Sequence, residues 1–172
     1  MTELILCGRG GQGIVFLTRQ LGQILTDLGR DVISSETHGM AVRGGSINSH
    51  LRIGPFLSPL IPFGNADFLI SLDQGETGNN IHFLKPNGVV VENSVMAGEP
   101  GFKRIDASGI ARSLGSVRLE NVVILGYSST LPGFPLSPAE IRSHLEKEPR
   151  ERIRVQNLAA FDAGVQASSE SS

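Results

Sequence analysis

The stretch Glu3-Leu4-Ile5-Leu6-Cys7-Gly8-Arg9-Gly10-Gly11-Gln12-Gly13 decides the fold. Residues 3–7 form a short apolar run stopped by glycine, the pattern of a buried strand that ends in a turn. From Ile14 the period lengthens. Ile14, Leu17, Leu21, Ile24, Leu25 and Leu28 fall on one helical face, and Gly29 is placed to end that helix. Residues 31–35 read as a second short strand. Strand, glycine loop, helix and strand in immediate succession make a βαβ unit, which implies a parallel pair.

Outward from that unit the pattern changes. Ile47, Ser49, Leu51 and Ile53 alternate with Asn48, His50 and Arg52, which predicts a strand with one wet face, of antiparallel or edge type. Pro55, Pro59 and Pro62 make 54–65 irregular. Residues 67–72 predict a buried strand, 75–84 a short helix, Pro86-Asn87-Gly88 a turn, and 89–91 another strand. A further strand over 102–105 and a helix over 108–114 follow. Residues 121–129 are apolar and fit strand or helix equally. Ser137, Pro138 and Glu140 are a helix start: a capping hydroxyl, proline at the first position, an acid in the first turn. A last helix is expected over 153–161. The expected fold is α/β, a three-layer α/β/α Rossmann-like arrangement with a mostly parallel, mixed sheet. Residues 1–166 read as one domain and 167–172 as a polar tail.

The 172 residues suit one ordinary domain, and 40% hydrophobic against 19% charged is enough for a packed core. A net charge of −2 draws the molecule toward neither nucleic acid nor an acidic membrane. No segment has the length of a membrane span, and the first residues lack a basic region, so the cytoplasm is the expected location. Cys7 is the one cysteine. A single thiol can anchor neither a four-cysteine iron–sulfur cluster nor a structural zinc. No cofactor or metal is therefore expected on this chain.

Two glycine clusters carry the candidate chemistry. Gly8, Gly10, Gly11, Gln12 and Gly13 satisfy G-x-G-x-x-G between a strand and a helix, where the chain turns sharply and the first helical N–H groups are left for an anion. Glu36 lies where a dinucleotide fold places its ribose-binding acid. Two readings stand: an NAD-type site on a free-standing nucleotide-binding protein, or a tight βα turn without a nucleotide. The second cluster runs from Glu36 through His38 to Arg43, Gly44 and Gly45. A guanidinium beside exposed backbone N–H groups suits phosphate or carboxylate, while a Glu36–Arg43 pair would simply hold the loop. His38 reads as a hydrogen-bonding support or a proton carrier, and Cys7 as a small core residue. His50, His82 and His144 show no ligand spacing. Both clusters leave carboxyl ends of strands and are expected to meet at one edge of the sheet.

Together these motifs resemble the γ subunit, or γ domain, of 2-oxoacid:ferredoxin oxidoreductases. That family's pattern is G-x-G-G-Q-G, then a helix and a strand, then an E…R-G-G loop. The lead-in Glu36-Thr37-His38-Gly39-Met40 is most similar to the γ-type β subunit of indolepyruvate ferredoxin oxidoreductase. Val42 departs from that branch, which commonly has glutamine there. Ala66-Asp67-Phe68-Leu69-Ile70, Leu84-Lys85-Pro86-Asn87-Gly88, Asn121-Val122-Val123-Ile124-Leu125-Gly126 and Asn157-Leu158-Ala159-Ala160-Phe161 extend the resemblance over nearly the whole chain. It implies a non-catalytic subunit of an enzyme that oxidatively decarboxylates a 2-oxoacid to an acyl-CoA and reduces ferredoxin. Thiamine diphosphate with Mg2+ and the iron–sulfur clusters would lie on partner chains, namely thiamine-diphosphate-binding α/β subunits and a ferredoxin-like component. The γ chain would pack on these and help cover the coenzyme A side.

Overall fold

The structure, a computed structural model, describes residues 1–38, 44–96 and 99–170. It divides into two compact units, Met1–Arg104 and Ile105–Ser172. Strands β1 (Thr2–Arg9), β2 (Val32–His38), β3 (Ser46–Ile53), β4 (Ala66–Ser71), β5 (Leu84–Asn93) and β6 (Lys103–Ile105) form one mixed sheet in the order β2-β3-β1-β4-β5-β6. Parallel pairing joins β1 to β4 and β4 to β5, and β3 runs antiparallel to both β2 and β1. β1, β2, β4 and β5 thus point one way and β3 the other. The α/β class and the mixed sheet are as expected, but the first two strands are not neighbours. Cys7 pairs with Asn48 of β3, which pairs in turn with Thr37 of β2. Hydrophobic period reveals that β3 is antiparallel; it does not reveal that β3 inserts between the strands flanking it in sequence.

Helix α1 (Ile14–Asp27) buries Ile14, Leu17, Leu21, Ile24 and Leu25 and packs against β1, β2 and β3. It ends as the sequence predicts. Gly29 adopts φ 72, its N–H donates to Thr26, and the Arg30 N–H donates to Leu25, the paired closure of a Schellman turn. Leu28, expected on the buried face, is the C-cap residue and is exposed. Helix α2 (Gln74–Asn80) follows β4, capped by the Asp73 carboxylate on the Gly75 N–H, and packs against β1, β4 and β5. Leu4, Ile5, Leu6 and Cys7 are all fully buried, so both faces of β1 are closed to water. Ile5 and Cys7 share one core cluster with Ile61, Leu69 and Val90. Pro86-Asn87-Gly88 lies inside β5, where the pairing jumps from Ala66↔Leu84 to Phe68↔Val89. The turn signal marks a bulge rather than a strand end.

β3 has no wet side over its second half. His50 and Arg52 are 3% and 9% exposed. The proline-rich segment after β3 folds back over them. Arg52 Nη1 donates to the carbonyls of Ser58 (2.8 Å) and Leu60 (3.1 Å), and the Ile61 N–H donates to His50 Nδ1 (3.1 Å). Burial, aided by the Arg52 charge, lowers the His50 imidazole from its ordinary 6.5. The unfolded chain therefore binds this proton more readily. The stability from neutral His50 is fully present above about pH 6.5 and is lost as pH falls below that value. Unfolding free energy, followed by urea titration, should decline on that acid limb. His50→Asn, whose amide oxygen can still accept the Ile61 N–H, should flatten it.

The second unit is helical: α3 (Ala107–Ser113), α4 (Glu120–Ser129), α5 (Pro138–Leu145) and α6 (Glu151–Glu170). Every residue of α4 is buried. Such a helix shows no amphipathic stripe, which is why its sequence fits strand and helix alike. Ser137 and Glu140 form the anticipated capping box on α5. α6 continues through the serines at 168 and 169 to Glu170, so the residues expected to begin a polar tail are helical.

Candidate ligand and partner site at the carboxyl edge of the sheet

The chain leaves β1 toward β2 on one side and leaves β4 toward β5 on the other. The carboxyl ends of β1 and β4 are therefore a topological switch point, where open α/β sheets form their ligand crevices. The loop after β1 is shaped by its own residues. Gln12 Oε1 accepts the Arg9 N–H at 2.7 Å, and its Nε2 donates to the Leu72 carbonyl at 3.0 Å. Both polar ends of Gln12 thus tie the first loop to the end of β4. Gly8 leaves room for that amide: a Cβ there would lie 2.9 Å from Gln12 Oε1 and 3.1 Å from Ile14 Cδ1. Gly11 and Gly13 adopt φ 101 and 86, the left-handed region that glycine tolerates. Gly13 is the N-cap of α1, so no side chain caps the helix.

The two glycine clusters do meet. The Gly10 N–H donates to the Gly45 carbonyl at 2.9 Å, and a Cβ on Gly10 would approach Gly44 N to 3.1 Å. In the dinucleotide motif this close approach serves a pyrophosphate; here the chain's own second loop takes it. Among the described residues a Cβ on Gly11 or Gly44 meets nothing within 4 Å. Glu36 sits on β2 opposite Ser49, with β3 between it and β1, roughly 10 Å of sheet at ordinary strand spacing. It cannot stand beside the β1 loop as a ribose-binding acid does. Its carboxylate lies 3.9 Å from Arg19 Nε on α1, a pair whose arginine is 76% exposed and which contributes little. His38 ends β2 opposite Ile47. Its side chain, and Arg43 with the proposed Glu36–Arg43 pair, lie outside the described residues.

Other residues of this edge were not singled out in the sequence. Arg9 Nε pairs with Asp73 Oδ2 at 3.2 Å, and the arginine remains half exposed at the start of α2, its Nη2 3.5 Å from where a Cβ on Gly75 would lie. Asn93 Nδ2 donates to the Leu72 carbonyl at 3.2 Å. Glu76, 6% exposed, accepts the Ser46 hydroxyl at 2.6 Å, bracing the start of β3 against α2. Asp73 had a local signal, an acid directly after a strand and two residues before glycine. Arg9 and Glu76 had none, because only the sheet order brings their partners to them. Cys7 donates its thiol toward the Glu76 carbonyl at 3.8 Å, and burial above all pushes it up to about 12, against the opposing Ser71 hydrogen bond. In the native protein an aromatic disulfide reagent at mildly alkaline pH should leave Cys7 unmodified, and in denaturant the thiol should react fully. Rapid native modification would contradict this burial.

A scan against family models matches residues 3–167 to the pyruvate ferredoxin/flavodoxin oxidoreductase family. The chain belongs to this family. Among curated members it is 31% identical to indolepyruvate oxidoreductase subunit IorB of Archaeoglobus fulgidus, covering 94% of this chain and 92% of that protein. It is 30% identical to the IorB subunit of Thermococcus kodakarensis, covering 98% and 96%. The fold is that of a keto/oxoacid ferredoxin oxidoreductase γ subunit from Geobacter sulfurreducens, with a TM-score of 0.81 at 23% identity over 99% of each chain. It also matches, at the same TM-score and 22% identity, 31% of a chain of the 2-oxoglutarate:ferredoxin oxidoreductase of Magnetococcus marinus, solved with 2-oxoglutarate, coenzyme A and succinyl-CoA bound. Membership of this oxidoreductase family, together with β3 standing between Glu36 and the β1 loop, removes the NAD-type reading.

Proposed function

We infer that this chain is the non-catalytic γ-type subunit of a 2-oxoacid:ferredoxin oxidoreductase of the indolepyruvate branch. The observation that carries this is the match to IorB subunits along essentially their full length. The chain works as one γ-type subunit in a cytoplasmic complex with thiamine-diphosphate-binding subunits and a ferredoxin-like component. Iron–sulfur ligation does not fit its residues: its one cysteine is buried and holds its proton. Among the described residues no group of three His, Cys, Asp or Glu could hold a metal ion. Among them, too, no helix is long and apolar enough to cross a membrane.

The edge formed by Gly11, Gly13 and Gly44 suits the phosphate end of coenzyme A better than a nicotinamide dinucleotide. Among the described residues a Cβ on Gly11 or Gly44 meets nothing within 4 Å, Gly13 leaves the α1 terminus without a side-chain cap, and Arg9 adds a half-exposed cation from the end of β1. Gly8, Gly10 and Gln12 shape this edge through internal contacts, and Gly45 accepts from Gly10; Arg43, which precedes Gly44 in the sequence, is the second cation this reading assigns to the ligand. These groups bind and orient; the bond-breaking chemistry belongs to thiamine diphosphate on the partner chains. The test is co-expression with the thiamine-binding partner, followed by ferredoxin reduction with an aryl 2-oxoacid and coenzyme A. The chain should co-purify and be required for full activity. Arg43→Ala should raise the Michaelis constant for coenzyme A several-fold with thermal stability unchanged. Failure to co-purify would refute the subunit assignment. An unchanged constant with lowered stability would reduce Arg43 to a loop brace.

A further inference from the structure

The first unit contains a cavity of ≈ 320 Å³, lined by Gln74, Thr77, Gly78 and Ile81 of α2 and the turn after it, and by Glu92, Glu99, Phe102 and Arg104. That volume is within the range of about 300–1,000 Å³ usual for small-molecule sites. None of its lining residues belongs to the glycine clusters, and nothing derived above uses it.

Its chemistry is mixed in a particular way. Phe102 and Ile81 supply apolar wall. Arg104 lies against Phe102, with Cζ 5.4 Å from the ring centroid. Its Nε is paired with Glu92 Oε2 at 3.1 Å, and Nη2 donates to the Glu99 carbonyl at 3.0 Å. Its Nη1 has no partner among the described residues. Glu92 is 2% exposed, so this pair is built into the wall rather than lying on the surface. Thr77 is 3% exposed, and its hydroxyl is buried with no hydrogen-bond partner among the described residues. The acids Glu92 and Glu99 outnumber the one guanidinium, so a free carboxylate or phosphate is disfavoured here. A purely aliphatic occupant would leave the Arg104 Nη1 donor unanswered, which costs free energy.

We propose that this cavity is a binding site for a neutral, planar heteroaromatic group of purine size. The ring lies against Phe102 and Ile81, a ring nitrogen accepts from Arg104, and an exocyclic amine donates to the acid-bearing rim. The site stands independently of the anion reading at the glycine loops.

The experiment is a heteronuclear NMR titration of the full chain with adenosine, which carries no phosphate, alongside cyclohexanol and inorganic phosphate. Saturable shifts with adenosine should centre on the amides of Thr77, Gly78, Ile81, Phe102 and Arg104, and neither control should reproduce them. Gly78 offers a clean plug, because among the described residues a Cβ there meets nothing within 4 Å. Gly78→Met should fill the cavity and weaken adenosine about tenfold or more, while Gly78→Ala, better suited than glycine to a helix, should keep it. No saturable shift with adenosine, the same shifts with cyclohexanol or phosphate, or undiminished binding to folded Gly78→Met would each overturn the proposal.

Discussion

Gly164→Ala is expected to destabilise the protein by about 3 kcal/mol or more, at the upper end of overpacking costs. The ordinary expectation has the opposite sign, because alanine is favoured over glycine inside a helix by up to about 1 kcal/mol. Packing of α4 on α6 reverses it. A methyl on Gly164 would overlap the Val123 carbonyl oxygen and lie 3.0 Å from Tyr127 N, while one on Gly126 would overlap the Phe161 carbonyl oxygen. Each glycine rests on the other helix's backbone, and a backbone carbonyl cannot swing away as a side chain does. Relief requires the helices to part, which loosens Ala160 and Phe161, 0% and 1% exposed. By the usual scaling for chains of this length, the midpoint of thermal unfolding should fall by roughly 6–12 °C. Gly78→Ala, in open space, should hold or raise it. A Gly164→Ala protein melting at or above the wild type would show that the two helices do not depend on this contact.

Local signals proved readable in proportion to how local their causes are. Ser137 and Glu140 name the start of α5 because a capping box involves only residues three apart. Gly29 names the end of α1 for the same reason. The glycine loop is legible as a sharp turn between strand and helix, yet its partner is not, because Gly44 and Gly45 reach Gly10 only through the β3 return. The same return hides the sheet order. Ser46 to Ile53 alternates in sequence, and alternation normally means one wet face. His50 and Arg52 are polar but buried, since the segment after β3 supplies their hydrogen-bond partners. Glu36 misled for a related reason. Its distance along the chain from the glycine loop suits a ribose-binding acid, while its distance across the sheet does not. The family resemblance was legible where individual roles were not, because several short motifs in the right order specify a fold more tightly than any one of them specifies a ligand.

Arg52→Ala should cost about 3–5 kcal/mol, the usual penalty for breaking a buried pair by removing one partner. Arg52 and Glu3 face each other in register across β3 and β1, with Nε 2.7 Å from Oε1 and side chains 11% and 9% exposed. The same guanidinium donates to the Ser58 and Leu60 carbonyls and lies 3.8 Å over the Phe56 ring. Its removal strands one buried carboxylate and two carbonyls together. Lysine should not substitute, because an ammonium is a point charge without the planar fork that reaches acid and carbonyls at once. The two losses can be separated. A Glu3→Leu, Arg52→Met double variant removes the stranded charge and restores apolar volume, so urea unfolding should recover much of the lost stability. It restores nothing to Ser58 and Leu60, so the segment after β3 should stay unpinned. Limited proteolysis should then cut near Leu57, fully exposed in the native protein, faster in the double variant than in the wild type. If Arg52→Ala costs less than about 1 kcal/mol, the pair is no stronger than a surface ion pair and the burial argument fails. If the double variant resists cleavage as the wild type does, the prolines hold the segment and Arg52 does not.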